Sequence, residues 1–181
     1  MKENQASSTA FSVLQGILYA AQHSEYPDLV SSDMKDACQN ILSASKEGQK
    51  RLKQLDSLWM RSLVPLMEKL LLPGISLHYV LRKRYIEDYI LQALNEGITQ
   101  VINLGAGFDT LAFRLANQYP NVNFIEVDHP ATHEVKKEAM TTSGEATDNL
   151  HFLPVDFTTQ ILEDELSKSS CLIPGRATIC I

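Results

Sequence analysis

The chain has 181 residues, 44% of them apolar, with 16 basic and 22 acidic side chains and a formal net charge of −6. That length buries a core without a disulfide scaffold, and the acidic balance excludes a basic footprint for nucleic acid or anionic lipid over the whole chain. No apolar run approaches the roughly 20 residues of a membrane span, the amino terminus lacks the basic-then-apolar order of a signal peptide, and Cys38, Cys171 and Cys180 have no metal-type spacing, so composition points to a cytoplasmic protein.

Up to about Glu96-Gly97 the sequence reads as helical throughout. Ser7, Ser8 and Thr9 offer N-caps to a segment containing Phe11, Val13, Leu14, Ile17, Leu18 and Ala21, which Pro27 stops. Ser31, Ser32 and Asp33 open a second helix with Met34, Ala37, Cys38, Ile41 and Leu42 on its apolar stripe, and Gly48 is expected to interrupt the helical pattern after it. The basic stretch 46–53 reads as a solvated face. Leu52, Leu55, Leu58 and Trp59 continue at helical spacing, with Trp59 expected to pack. Pro65 marks a helix start or a kink, and Pro73-Gly74 a turn.

A long helix is expected over 76–96. Ile86, Tyr89, Ile90 and Ala93 form its apolar stripe, and four residues before Ile86 the stripe reaches Arg82. A guanidinium there needs an anionic partner or a water-filled cleft. Arg84, three and four residues before Glu87 and Asp88, reads as one half of a surface ion pair. Tyr79, Tyr85 and Tyr89 flank Arg82 and read as packing residues. Gly97 is placed as a C′ glycine.

Beyond Gly97 the grammar changes. Strands are expected over 99–104, 122–127, 151–155 and 176–181, with helices at 111–116, from Pro130 to about Thr142, and around Ile161, Leu162 and Leu166. Strand and helix in alternation give an α/β fold with parallel strands and right-handed crossovers. A sequence that stops inside an apolar strand leaves an edge that natural domains avoid, so a sheet truncated after its fourth strand is expected.

In such a sheet, ligands bind beyond the carboxyl ends of the strands. Gly105-Ala106-Gly107 follows the first strand and permits a tight turn and a close backbone approach. A dinucleotide fingerprint needs a third glycine where this chain has Thr110, and Asp109 and Thr110 are suited instead to capping the next helix. Glu126 and Asp128 end the second strand, 21 and 23 residues after Gly105, where a carboxylate can accept ribose hydroxyls. Either acid could equally cap the helix at Pro130. Asp156, after the third strand, could meet an adenine amino group or cap the helix near Thr159. His129 and His133 are four apart, but no third ligand comes after them at useful spacing, so no metal site is expected.

The blocks Val101-Ile102-Asn103-Leu104-Gly105-Ala106-Gly107-Phe108-Asp109-Thr110, Phe113-Arg114-Leu115, Phe124-Ile125-Glu126-Val127-Asp128-His129-Pro130 with Lys136, and Arg82-Lys83-Arg84-Tyr85-Ile86-Glu87-Asp88 resemble the leucine carboxyl methyltransferase family. The resemblance runs from about Leu77 to the carboxyl terminus. It implies a Rossmann-like, class I methyltransferase domain over 76–181, with 1–75 as a helical cap or lid, and S-adenosylmethionine as cofactor. By the same resemblance, Arg82 would pair with the methionine carboxylate, Gly105 and Gly107 would pass beneath the methionine part, Asp128, ahead of Glu126, would bind ribose, and Asp156 would lie near adenine. Leu111 departs from the basic residue that many members carry there.

The implied reaction is O-methylation of a carboxylate on a small molecule or a protein C-terminus, with nucleic acid disfavoured by the acidic charge. A carboxylate is already an anionic nucleophile, so no general base is nominated. Two alternatives remain: a nicotinamide-dependent Rossmann-type enzyme, and a truncated, non-catalytic protein that binds the cofactor or a partner.

Overall fold

The computed structural model describes residues 6–24, 26–144 and 147–181; Met1 to Gln5 and the side chain of Trp59 lie outside the described residues. Among the described residues, five α-helices precede the sheet: α1 (Ser8–His23), α2 (Ser32–Ser43), α3 (Lys46–Leu55), α4 (Leu58–Leu71) and α5 (Ile75–Asn95). Then come β1 (Gln100–Leu104), α6 (Leu111–Ala116), β2 (Asn123–Asp128), α7 (Pro130–Ser143), β3 (Leu150–Pro154), α8 (Leu162–Lys168) and β4 (Thr178–Cys180).

Local chemistry sets several of these boundaries. The Ser7 hydroxyl accepts the Ala10 N–H at the start of α1, and Ser45 accepts the Gly48 N–H at the start of α3. Helix α5 ends in a Schellman motif, in which the Ile98 N–H reaches the Ala93 carbonyl and the Gly97 N–H the Leu94 carbonyl. One expectation from the sequence fails here. Gly48 does not interrupt a helix but lies within α3, where a Cβ would fall 2.0 Å from the Leu42 carbonyl oxygen; it is there because α3 crosses the end of α2 at backbone contact. Of the two readings of Pro65, a helix start is excluded, for α4 continues through it.

All strand pairs are parallel, in the order β3-β2-β1-β4. The order reverses between β1 and β4, which makes the carboxyl end of β1 the topological switch point. Register places Val101, Phe124 and Leu150 on one face, where they pack with Ile90 of α5, Met140 of α7 and the apolar side chains of α6. Ile102, Ile125 and Val127 face the other way, against Val155, Leu162 and Leu172. A third cluster unites Leu14, Ile17 and Leu18 of α1 with Cys38, Ile41 and Leu42 of α2, and it includes Val80 of α5 and Phe108 beside the glycine turn. Phe11 meets Phe108 edge to face at 4.8 Å. The amino-terminal helices are thus packed onto the ends of the strands. Among the described residues, no helix is long and apolar enough to cross a membrane.

The expected stripe of α5 holds at Ile90 and Ala93, which are buried, and at Ile86, which packs against the sheet cluster, but not at Tyr89 or Arg82. The helix's buried positions are Ser76, Val80, Ile90 and Ala93, with Lys83 half-buried between them, while Arg82, Tyr85 and Tyr89 are exposed. Four residues before Ile86 lies the exposed Arg82, whereas three before it lies Lys83, which is on the face turned to the sheet. Only Tyr79 of the three tyrosines packs inward, against the α1–α2 cluster.

Candidate functional site

A cavity of about 470 Å³ opens beyond the carboxyl ends of β1, β2 and β3, within the 300–1,000 Å³ range usual for small-molecule sites. Its floor is Gly105 to Thr110. One wall is Asp128 and His129 at the end of β2 with Val155 to Thr158 after β3. Arg82 and Lys83 come from α5, and α1 covers the cavity with Ala10, Val13, Leu14 and Ile17.

The floor is a glycine turn with left-handed backbone at both glycines, φ +65° at Gly105 and +53° at Gly107. A side chain at either would be strained. Asp128 holds this turn to β2: its Oδ2 accepts the Gly107 N–H at 2.7 Å and its Oδ1 accepts the His129 N–H at 2.7 Å. A carboxylate has about four acceptor positions, so two remain for a ligand. Asp156 closes the turn after β3 by accepting the Thr158 N–H at 2.9 Å and hydroxyl at 2.6 Å on Oδ1. The Thr158 bonds hold its carboxyl below the usual carboxylate range. Arg82 is exposed at the rim and makes no hydrogen bond or ion pair among the described residues.

Of the residues singled out in the sequence, Arg82, Gly105, Gly107, Asp128 and Asp156 therefore line one cavity. Glu126 does not, and the expectation that it shares this site is corrected. Its side chain is wholly buried beneath α7, where it accepts a hydrogen bond from Lys136 Nζ. Arg82 likewise faces solvent rather than the apolar stripe. The ion pair expected between Arg84 and Glu87 or Asp88 is also absent among the described residues; Glu87 pairs with Arg114 instead.

Ion pairs that sequence spacing did not anticipate complete the surroundings. Of the two residues expected to cap α6, Asp109 does so, its Oδ1 accepting the Leu111 N–H at 2.7 Å, and Thr110 makes no side-chain cap bond. Asp109 Oδ2 pairs with Lys83, and the Asp109 carbonyl accepts from Lys136. Burial opposes charge on Asp109, yet Lys83 and Lys136 hold its carboxyl below the usual range. Arg114 forks onto Glu87 at 2.7 and 2.6 Å and reaches Asp33 at 2.7 Å.

The two histidines separate in role. His129 Nδ1 accepts the Ala131 N–H at 3.3 Å as the cap of α7. His133 is buried against the Phe152 ring, with no partner for either nitrogen among the described residues. No group of three potential metal ligands occurs among the described residues. Burial, with the charge of Lys136, pushes the His133 pKa from 6.5 down to about 4. The folded value is below the unfolded one, so the neutral ring's contribution is intact above pH 6.5 and is lost as pH falls through 6.5 towards 4. We expect about 3 kcal/mol to be lost over that window. Urea midpoints measured from pH 7.5 to 4 should fall steeply in the wild type and less so in His133→Leu.

A family model described as leucine carboxyl methyltransferase matches residues 14–181. The chain belongs to the leucine carboxyl methyltransferase family. A provisionally named S-adenosyl-L-methionine-dependent methyltransferase, YktD of Bacillus subtilis, is 37% identical over 86 residues, 47% of this chain and 28% of that protein. A second, of the same provisional description, from Mycobacteroides abscessus, is 36% identical over 63 residues, 35% of this chain and 21% of the relative. The tRNA wybutosine-synthesizing protein 4 of Candida albicans is 32% identical over 122 residues, 63% of this chain and 16% of that protein. The matched stretches thus span less than a third of each of these relatives. A crystal structure from Nostoc punctiforme, described provisionally as an O-methyltransferase, aligns over 78% of this chain and 38% of its own at 17% identity and a TM-score of 0.32. Leu111, the position that departs from the family resemblance, is buried among the apolar side chains of α6 rather than turned to the cavity.

Proposed function

We propose that this chain forms the S-adenosylmethionine-binding part of an O-methyltransferase whose acceptor is a carboxylate, on a small molecule or a protein C-terminus, giving a methyl ester. The observation that carries the reading is the cavity in which an uncommitted cation, a left-handed glycine turn and two strand-end acids meet. Membership of the family and the printed descriptions of its bacterial relatives support the choice of cofactor.

The residues present fit that group. Both Gly105 and Gly107 lack a Cβ at the cavity floor, and nothing lies within 4 Å of where one would stand at Gly105, so a ligand can lie against the backbone there. Arg82 offers a charge for an amino-acid carboxylate, Asp128 offers its free acceptor positions to ribose hydroxyls, and Asp156 offers a second anionic acceptor near the base. The bound cofactor supplies an electrophilic methyl group on a sulfonium centre. Ala10, Val13, Leu14 and Ile17 exclude water from above. An acceptor carboxylate is ionised at neutral pH, so alignment and desolvation carry the rate and no side chain needs to remove a proton.

Isothermal titration with S-adenosylhomocysteine and with NAD tests the reading; binding of NAD alone would overturn it. Asp128→Ala removes the ribose acceptor and leaves the Gly107 N–H without its partner. It should weaken S-adenosylhomocysteine about tenfold or more, with the folded state verified by circular dichroism.

A further inference from the structure

Arg82 and Lys83 are neighbours on α5, about 100° apart around the helix, and they meet different surroundings. Lys83 lies on the side turned to the sheet, its side chain 25% exposed, and pairs with Asp109 Oδ2, whose side chain is 9% exposed. Arg82, one position round, faces the cavity mouth and is held by nothing among the described residues. Asp109 is itself fixed: its other oxygen caps α6, its N–H donates to the Ala106 carbonyl at 2.8 Å, and its own carbonyl takes Lys136. The other grips on the turn come from β2, through Asp128, and from α7, through Lys136. The Lys83 pair is the one that reaches it from α5 among the described residues.

We propose that Lys83 is a positioning residue whose ion pair with Asp109 sets the rotation of α5 against the glycine turn and so aims Arg82 at the anionic end of the bound ligand. This rests on the cofactor reading. Lys83 itself acts on the turn and not on the ligand. It matters because, among the described residues, it is the direct polar contact from α5 to Asp109 of the turn; further along the helix Glu87 holds α6 through Arg114. Losing it leaves the turn in place, since Asp128 and Lys136 remain, and loosens α5 at the level of Arg82, ahead of the Glu87–Arg114 fork.

The test separates the two ends of the ligand. S-adenosylhomocysteine carries the amino-acid carboxylate; 5′-methylthioadenosine has the adenosine and the thioether without it. Lys83→Met should weaken S-adenosylhomocysteine about five- to tenfold and leave 5′-methylthioadenosine within about twofold. Lys83→Arg, which keeps a charge for Asp109, should restore most of the loss. Arg82→Ala, at an exposed position that does not endanger folding, should show the same selectivity, and the double variant should be no weaker than Arg82→Ala alone. Lys83→Gln serves if Lys83→Met fails to fold, with the same selectivity expected. Equal weakening of both ligands, no weakening, or an additive double variant overturns the proposal while wild-type binding keeps the cofactor reading. Failure of the wild type to bind S-adenosylhomocysteine overturns both.

Discussion

Replacing Lys136 with methionine is expected to cost about 3–5 kcal/mol, the range for breaking a buried ion pair from one side. Both side chains of the Lys136–Glu126 pair are wholly buried. Glu126 Oε1 has no partner among the described residues, so the carboxylate depends on Lys136 for the compensation it has. A loss of this size is a large part of the 5–15 kcal/mol that folds an ordinary domain. It should lower the melting temperature by about 10 °C or more.

The same variant should show a diagnostic pH dependence. Burial already pushes the Glu126 carboxyl up, against the pull of Lys136. Without the lysine the folded value rises further above the unfolded one. The penalty is then absent at pH values below the unfolded pKa and grows as pH rises through the folded one. Lys136→Met should therefore lie nearest the wild type in acid and furthest from it at neutral pH. Removing both charges in Glu126→Leu/Lys136→Met should recover most of the loss at neutral pH. Denaturation midpoints of the three proteins at pH 5 and pH 7.5 measure this; a pH-independent loss in Lys136→Met would show that Glu126 is not the group left behind.

Much of the fold was legible because its signals are local. A helix declares itself by a 3.6-residue period and a strand by a β-branched run, and both survive in a single sequence. The floor of the cavity was legible for a different reason: a parallel α/β pattern fixes which strand ends face the ligand, so Gly105, Gly107, Asp128 and Asp156 could be placed together without any distance. What stayed hidden depends on contacts far apart in the chain. Lys83 meets Asp109 across 26 residues, Lys136 reaches the Asp109 carbonyl across 27, and Arg114 reaches Asp33 across 81. Arg84 was paired with Glu87 or Asp88 from spacings of three and four, and the longer-range Arg114 took the Glu87 carboxylate. Glu126 and Asp128 share a side of β2, but sequence alone does not tell which of two acids lies under a helix and which at its end. The burial of Glu126 and the exposure of Arg82 are tertiary outcomes of where α7 and α5 settle.

Arg114→Met is expected to lose about 2–4 kcal/mol, the lower end because Asp33 is half-exposed and keeps solvent when its partner goes. Glu87 does not have that recourse to the same degree: its side chain is 19% exposed and its two oxygens receive the guanidinium fork. Burial alone would disfavour charge on Arg114, but Glu87 and Asp33 push its pKa above the ordinary arginine value. The fork also carries architecture. It ties α6, which leaves the glycine turn, to α5, which bears Arg82, and to α2 in the amino-terminal layer. Arg114→Lys keeps the charge but replaces two parallel bonds by one flexible contact, so it should recover less than half of the loss. A double-mutant cycle with Glu87→Gln, read by urea denaturation, should give a coupling energy of about 1–3 kcal/mol. The corresponding cycle with Asp33→Asn should give less than about 1 kcal/mol. Equal couplings would mean that the fork onto Glu87 does not dominate, and that the joint between the glycine turn and the helical layer is carried by packing rather than by this arginine.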